Sequence, residues 1–202
     1  MSESKAGKNT FESFLRRTFQ KPLNWLAERL LKLGLTPDYI TLLGLIGNIG
    51  AATLIIYGHL QWGGLLAALM APLDAVDGTM ARLQGKSSLF GAFFDSVTDR
   101  YDELILLGAL IIFFFNQSDR LGVVLTFLAA MGSVMVSYTR ARAEGLNLEA
   151  KVGVLTRIER SFILIIGLLI SRPVFSVGII AVLANITAVQ RIAWVWKQTN
   201  AE

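Results

Sequence analysis

The apolar residues of this chain arrive in blocks, not at the three-to-four-residue spacing of a helix with one wet face. A helix rises about 1.5 Å per residue, so roughly 20 residues cross about 30 Å of hydrocarbon. Several blocks reach that length. Composition agrees: 53% of the 202 residues are hydrophobic and 17% charged, against about 25% charged in an ordinary soluble domain. These features predict an all-α integral membrane protein, with six transmembrane helices preceded by an N-terminal amphipathic surface helix. The spans fall at 38–58, 61–83, 89–115, 120–143, 157–171 and 173–197.

Residues 1–10 are polar and are expected to form a disordered tail. They lack the apolar run and small-residue site of a cleaved signal. Residues 11–34 mix leucines and aromatics with Arg16, Arg17, Lys21, Arg29 and Lys32, which suits a helix lying in the membrane surface. Pro22 is expected to bend or interrupt it. Gly34 ends it, and Pro37 suits the first turn of the next helix. Residues 35–202 then form one six-helix domain. With six spans both termini share a side, and that side holds seventeen of the nineteen Lys and Arg residues. Arg120 and Arg172 stand opposite. The positive-inside rule places the termini, and the loops after the second and fourth spans, in the cytoplasm.

The apolar pattern breaks at DAVDGTMARLQGKSSLFGAFFDSVTD, residues 74–99. An unpaired carboxylate near the membrane interior costs several kcal/mol, so acids there are functional candidates. Asp74 and Asp77 are three apart and Asp95 and Asp99 four apart, so each pair shares a helix face. Two antiparallel helices carrying such pairs make an oxygen cage for a pair of cations. Cysteine is absent and His59 is the lone histidine. Any metal is therefore held by oxygen, which favours Mg²⁺, Mn²⁺ or Ca²⁺. Gly78 and Gly91 remove side chains beside the carboxylates and allow close approach. The plain alternative is a set of solvated helix-end acids, which leaves the two same-face pairs unexplained.

The segment resembles the signature of the CDP-alcohol phosphotransferase family, D-x2-D-G-x2-A-R-x8-G-x3-D-x3-D. It is met at Asp74, Asp77, Gly78, Ala81, Arg82, Gly91, Asp95 and Asp99. The resemblance implies a reaction in which an alcohol attacks the β-phosphorus of a CDP-linked lipid and CMP leaves. It implies two divalent ions, Mg²⁺ or Mn²⁺, shared by Asp74, Asp77, Asp95 and Asp99, with Asp99 also taking the proton of the attacking hydroxyl. It places Asp38, Tyr39, Ile40, Thr41, Gly78, Arg82 and Ser88 at the CDP-lipid. It also implies a homodimer in the bilayer, with no role for nucleic acid.

A second basic group bears on the acceptor. Arg140 and Arg142 end the fourth span, Arg157 and Arg160 open the fifth, and Arg191 lies near the end of the sixth. Guanidinium groups bind phosphate bidentately. The plain alternative is positive-inside bias, with Glu144 and Glu159 as partners. SYTRARAEG, VLTRIERSF and VQR resemble the subgroup that makes phosphatidylinositol phosphate or its archaeal ether-lipid counterpart. That implies inositol phosphate as acceptor, with its phosphate held at Arg140, Arg157 and Arg191. Members often carry a Glu directly before the first of the two arginines here, where this chain has Thr156 ahead of Arg157. Two other readings stand beside this one: a phosphatidylglycerophosphate synthase using glycerol 3-phosphate, and a cation transporter. The transporter requires acids spread along a pathway in several helices.

Overall fold

The computed structural model describes residues 11–85 and 88–200, with side-chain environments from Gln20 onward. The expected tail, residues 1–10, lies outside the described residues. Among those described there are eight helices and no strand: α1 Phe11–Lys32, α2 Pro37–Ile56, α3 Leu60–Met70, α4 Leu73–Leu83, α5 Leu89–Asn116, α6 Arg120–Glu144, α7 Arg157–Leu169 and α8 Pro173–Thr199.

Among the described residues, four stretches are long and apolar enough to cross a membrane: α2, the α3–α4 segment Leu60–Leu83, α6 and α8. The other two expected spans have a different character. Helix α5 is 28 residues long, but its first half carries Asp95, Asp99, Arg100, Asp102 and Glu103. Helix α7 has only 13 residues, about 20 Å of rise. The second expected span is not one continuous helix, because it breaks at Ala71 and Pro72. Proline has no N–H to donate and its ring crowds the carbonyl four residues earlier. Pro72 instead starts a new helix, its carbonyl accepting from the N–H groups of Ala75 and Val76.

Helix α1 runs through Pro22 without interruption. It ends where Gly34 takes φ +79°. The N–H of Leu35 then reaches the carbonyl of Leu30 and that of Gly34 the carbonyl of Leu31, a left-handed helix stop that glycine permits. The apolar side of α1 packs on α2 and α4. Ala27, Ile40, Val76 and Met80 are buried together, with Leu23, Leu26, Leu30 and Leu31 around them. The helix bearing Asp74 and Asp77 is thus backed by the N-terminal helix.

The main core lies between α2, α3, α5, α6, α7 and α8. Its most extensive seam joins α6 to α8. Small residues line that seam: Ala129, Gly132 and Ser133 on one side, Ala181, Ala184 and Ala188 on the other. Where lipid replaces water, close backbone approach through small residues drives helix association. Large apolar side chains such as Ile46, Leu69, Ile112, Phe127, Met131, Ile179 and Val182 point outward instead, as lipid contact requires.

Gly64 makes this close packing testable. A Cβ built on it would lie 2.7 Å from Leu168 Cβ and 3.1 Å from the Leu169 backbone nitrogen. At Gly108 a Cβ would meet nothing within 4 Å. Gly64→Val is expected to destabilise the protein by about 1–3 kcal/mol through overpacking, and Gly108→Ala to be neutral or stabilising by up to about 1 kcal/mol. Thermal unfolding in detergent compares the two.

Candidate active site

The break at Pro72 puts Asp74 in the first turn of α4, where the helix N-terminus favours negative charge. Asp95 and Asp99 lie one turn apart on α5. Asp74, Asp95 and Asp99 each present a carboxylate oxygen within 4.8 Å of the others. Asp77 lies close enough to interact electrostatically with Asp74 and Asp95, but both its oxygens are engaged within the protein. Thr41 on α2 donates to Oδ2 at 2.6 Å and the Gly78 N–H to Oδ1 at 2.5 Å. Only 3% of Asp77 is exposed.

Like charges packed this closely and half-buried need a counter-charge. Arg157, at the first position of α7, supplies one. Its Nη1 donates to Asp74 Oδ2 at 2.8 Å and also pairs with Asp99 Oδ2. Arg100 approaches Asp99 at 3.9 Å. Asp95 Oδ1 is buried without a hydrogen-bond partner. Three converging carboxylates, one with an unclaimed buried oxygen, suit a hard divalent cation such as Mg²⁺ or Mn²⁺. Asp74, Asp95 and Asp99 would hold it directly. Asp77 could join them if its carboxylate turned from Thr41 or kept that bond on one oxygen.

The residues expected at the CDP-lipid divide by environment. Asp38, Tyr39, Arg82 and Ser88 are exposed. Arg82 donates to Thr79 Oγ1 at 2.9 Å. The Ser88 hydroxyl accepts from the Gly91 N–H at 2.8 Å and caps α5. Ile40 is buried against α1 and α4, and Thr41 orients Asp77. Gly78 keeps space beside Asp77, since a Cβ there would meet only the Arg82 guanidinium, at 3.6 Å.

The basic residues are held in distinct ways. Arg140 pairs with Glu144 at 2.9 Å on the exposed surface. Arg191 is buried; its Nε donates to Val152 O at 3.0 Å and its Nη1 to Val136 O at 2.5 Å. Arg140 and Arg160 lie within electrostatic reach of Arg191. The ends of α6, α7 and α8 thus stand near one another, while Arg157 is turned to the carboxylates of α4 and α5. The loop between α6 and α7 is tied to α8 by Arg191, by Thr187 accepting from the N–H groups of Val154 and Leu155, and by Gln198 donating to Glu149 O. That loop delivers Thr156 as the N-cap of α7. Glu159 accepts from the Thr156 N–H at 2.6 Å, so it is spent on the helix start and, among the described residues, pairs with no arginine.

Sequence reasoning missed Glu103. It meets Arg160 in a two-pronged ion pair, Nε to Oε1 at 2.6 Å and Nη2 to Oε2 at 2.8 Å. Asp102 and its Asn48 partner on α2 were missed as well. The available signal was spacing: Glu103 is four residues after Asp99, and Arg160 three after Arg157.

The metal reading predicts that Asp95→Asn weakens Mn²⁺ binding by at least about tenfold, or ~1.4 kcal/mol. Asp119→Asn, at the N-cap of α6 beyond the far end of α5, is expected to leave it unchanged. The free-ion electron paramagnetic resonance signal of Mn²⁺, titrated with each variant in detergent, measures both.

The geometry can be set beside known proteins. Residues 34–194 match the model of the CDP-alcohol phosphatidyltransferase family. The phosphatidylinositol phosphate synthase of Mycobacteroides abscessus is 39% identical over 158 residues, covering 77% of this chain and 72% of that protein. A crystal structure of the Mycobacterium tuberculosis phosphatidylinositol phosphate synthase with CDP-DAG bound superposes with a TM-score of 0.82 at 32% identity, covering 86% of this chain and 93% of the other. A second structure of that protein, in complex with manganese and citrate, gives 0.81 at 31% identity, covering 86% and 88%. With its aspartate cluster intact and the family model spanning most of its length, this chain belongs to the CDP-alcohol phosphatidyltransferases.

Proposed function

We propose that this chain transfers the phosphatidyl group of CDP-diacylglycerol to a hydroxyl of inositol phosphate, releasing CMP and forming phosphatidylinositol phosphate. The observation that carries the reading is Arg157. From the first position of α7 it reaches the carboxylates of Asp74 on α4 and Asp99 on α5, and one turn further along α7 Arg160 lies within electrostatic reach of Arg191 on α8. A phosphate-bearing acceptor needs such a group beside the reacting centre. The relatives named as phosphatidylinositol phosphate synthases, and the one crystallised with CDP-DAG, support the same substrates. The transporter reading loses its basis, because the acids are confined to α4 and α5.

Divalent ions held by Asp74, Asp77, Asp95 and Asp99 would neutralise the diphosphate and favour in-line displacement at phosphorus. The manganese complex of the Mycobacterium tuberculosis relative supports that cofactor class. The chain's own residues do the rest. Asp38, Tyr39, Ile40, Thr41, Gly78, Arg82 and Ser88 line or shape the CDP-lipid side. Arg140, Arg157 and Arg191 bind the acceptor phosphate. Asp99 accepts the hydroxyl proton as the acceptor oxygen bonds to phosphorus and the bond to CMP breaks.

In this reading α5 and α7 complete six membrane-crossing helices, and α1 lies in the membrane surface. The seventeen-to-two distribution of basic residues puts the termini and the site on the cytoplasmic side. Lipid tails then enter sideways from the bilayer while a soluble phosphorylated alcohol enters from the cytoplasm. The homodimer expected from the resemblance belongs to this proposal too, and the mass of the detergent-solubilised protein tests it.

The deciding experiment is CMP release from CDP-diacylglycerol with a panel of inositol phosphate, inositol, glycerol 3-phosphate and serine. Turnover is expected with inositol phosphate; turnover with glycerol 3-phosphate alone would keep the pocket and reassign the acceptor. Losing a charge-assisted phosphate contact costs about 1.5–3 kcal/mol, or roughly 10- to 150-fold in affinity. Arg140→Gln, Arg157→Gln and Arg191→Gln should each raise the KM for inositol phosphate by about that factor and leave the KM for CDP-diacylglycerol near wild type. Arg191→Gln should also lower the melting temperature, because it frees the carbonyls of Val136 and Val152. Asp99→Asn should depress kcat far more than CDP-lipid binding; loss confined to binding would make Asp99 a ligand only.

A further inference from the structure

The Glu103–Arg160 pair lies outside the roles assigned so far. Arg160 is 1% exposed, and the Glu103 side chain 9%. Burying two charges costs several kcal/mol, and apolar residues of similar volume would often stabilise as well. What an apolar pair lacks is a fixed orientation. A two-pronged guanidinium–carboxylate contact holds both partners in one plane and one register.

The register matters because of what stands next to it. Glu103 follows Asp99 by four residues on α5, and Arg160 follows Arg157 by three on α7, so each pair shares a helix face. The contacts form two rungs: Arg157 on Asp99 and Asp74, and Arg160 on Glu103. The backbone of α7 packs chiefly on α3 and α8, and at its N-terminal end these long side chains reach across to α5. The N-terminus of α7, where Arg157 sits, follows the loop that Thr187 and Arg191 tie to α8. Glu103 also lies within electrostatic reach of Arg157.

We infer that Glu103 and Arg160 are positioning residues that set the place of Arg157 in the acceptor site. This rests on the reading of Arg157 as a phosphate-binding group. Neither Glu103 nor Arg160 touches a reacting atom; they fix the rotation and depth of α7, so that the Arg157 guanidinium meets both the carboxylate cluster and the incoming phosphate.

A double-mutant cycle tests this, with kinetics in both substrates and melting temperatures for each variant. Glu103→Gln keeps the shape and removes the charge; Arg160→Lys keeps the charge and removes the fork. Each is expected to raise the KM for inositol phosphate by about tenfold, the lower end of what losing an outer-shell partner costs. The KM for CDP-diacylglycerol should not change. In an Arg157→Gln background neither should add a further increase. If the factors multiply in that background, or both KM values rise together, the pair is a simple staple and the inference falls. If Arg160→Lys keeps the wild-type constant while Glu103→Gln does not, Glu103 acts by its charge alone, which also overturns it. If Arg157→Gln itself leaves the constant for inositol phosphate unchanged, the acceptor reading fails and takes this inference with it. Normal behaviour of Glu103→Gln and Arg160→Lys alongside an impaired Arg157→Gln would sink the inference alone.

Discussion

Four carboxylates gathered within a membrane-embedded bundle are the constraint on which the rest of the structure depends. Each carries a desolvation cost of several kcal/mol unless it finds a proton donor or a cation. The fold meets that demand from three directions. Helix α2 sends Thr41 to Asp77, α7 sends Arg157 to Asp74 and Asp99, and α5 turns its own Arg100 back toward Asp99. Asp95 keeps a buried oxygen unclaimed, the position at which a divalent ion has most to offer.

Local chemistry sets these directions. Pro72 breaks the second apolar stretch and begins α4 one residue before its aspartate pair. Ser88 caps α5 and fixes where its spiral of acids starts. Thr156 caps α7, with Glu159 closing the first turn, so that Arg157 stands at the helix entrance. At the back of α4, the apolar side of α1 covers Val76 and Met80. Helix α4 is therefore held between α1 and the bundle core.

The helical bundle was legible because apolar block length is a one-dimensional property. So was the aspartate cluster, because i,i+3 and i,i+4 spacing fixes a helix face without knowledge of its neighbours. The break at Pro72 was readable in principle, but hydropathy carried straight through it and concealed the join. The pairing of Arg157 and Arg160 with acids of α4 and α5 was beyond such reading for a different reason. Which acid a given arginine reaches depends on the rotation of α7 against α5, set by contacts 57 and more residues apart. In sequence Glu159 is the evident partner for a neighbouring arginine; the structure spends it on the N-terminus of α7 and gives Arg160 to Glu103. Arg191 shows the same limit, since its two backbone carbonyl partners carry no sequence signal at all.

The central claim is that Asp74, Asp95 and Asp99 form the seat of a divalent cation. Anomalous X-ray scattering from crystals grown with Mn²⁺ tests it most directly. The account predicts an anomalous peak among these three carboxylates, within about 2.0–2.6 Å of oxygen atoms from at least two of them. A peak only at surface acids, or none at saturating Mn²⁺ with the cluster still bridged by Arg157, would contradict it.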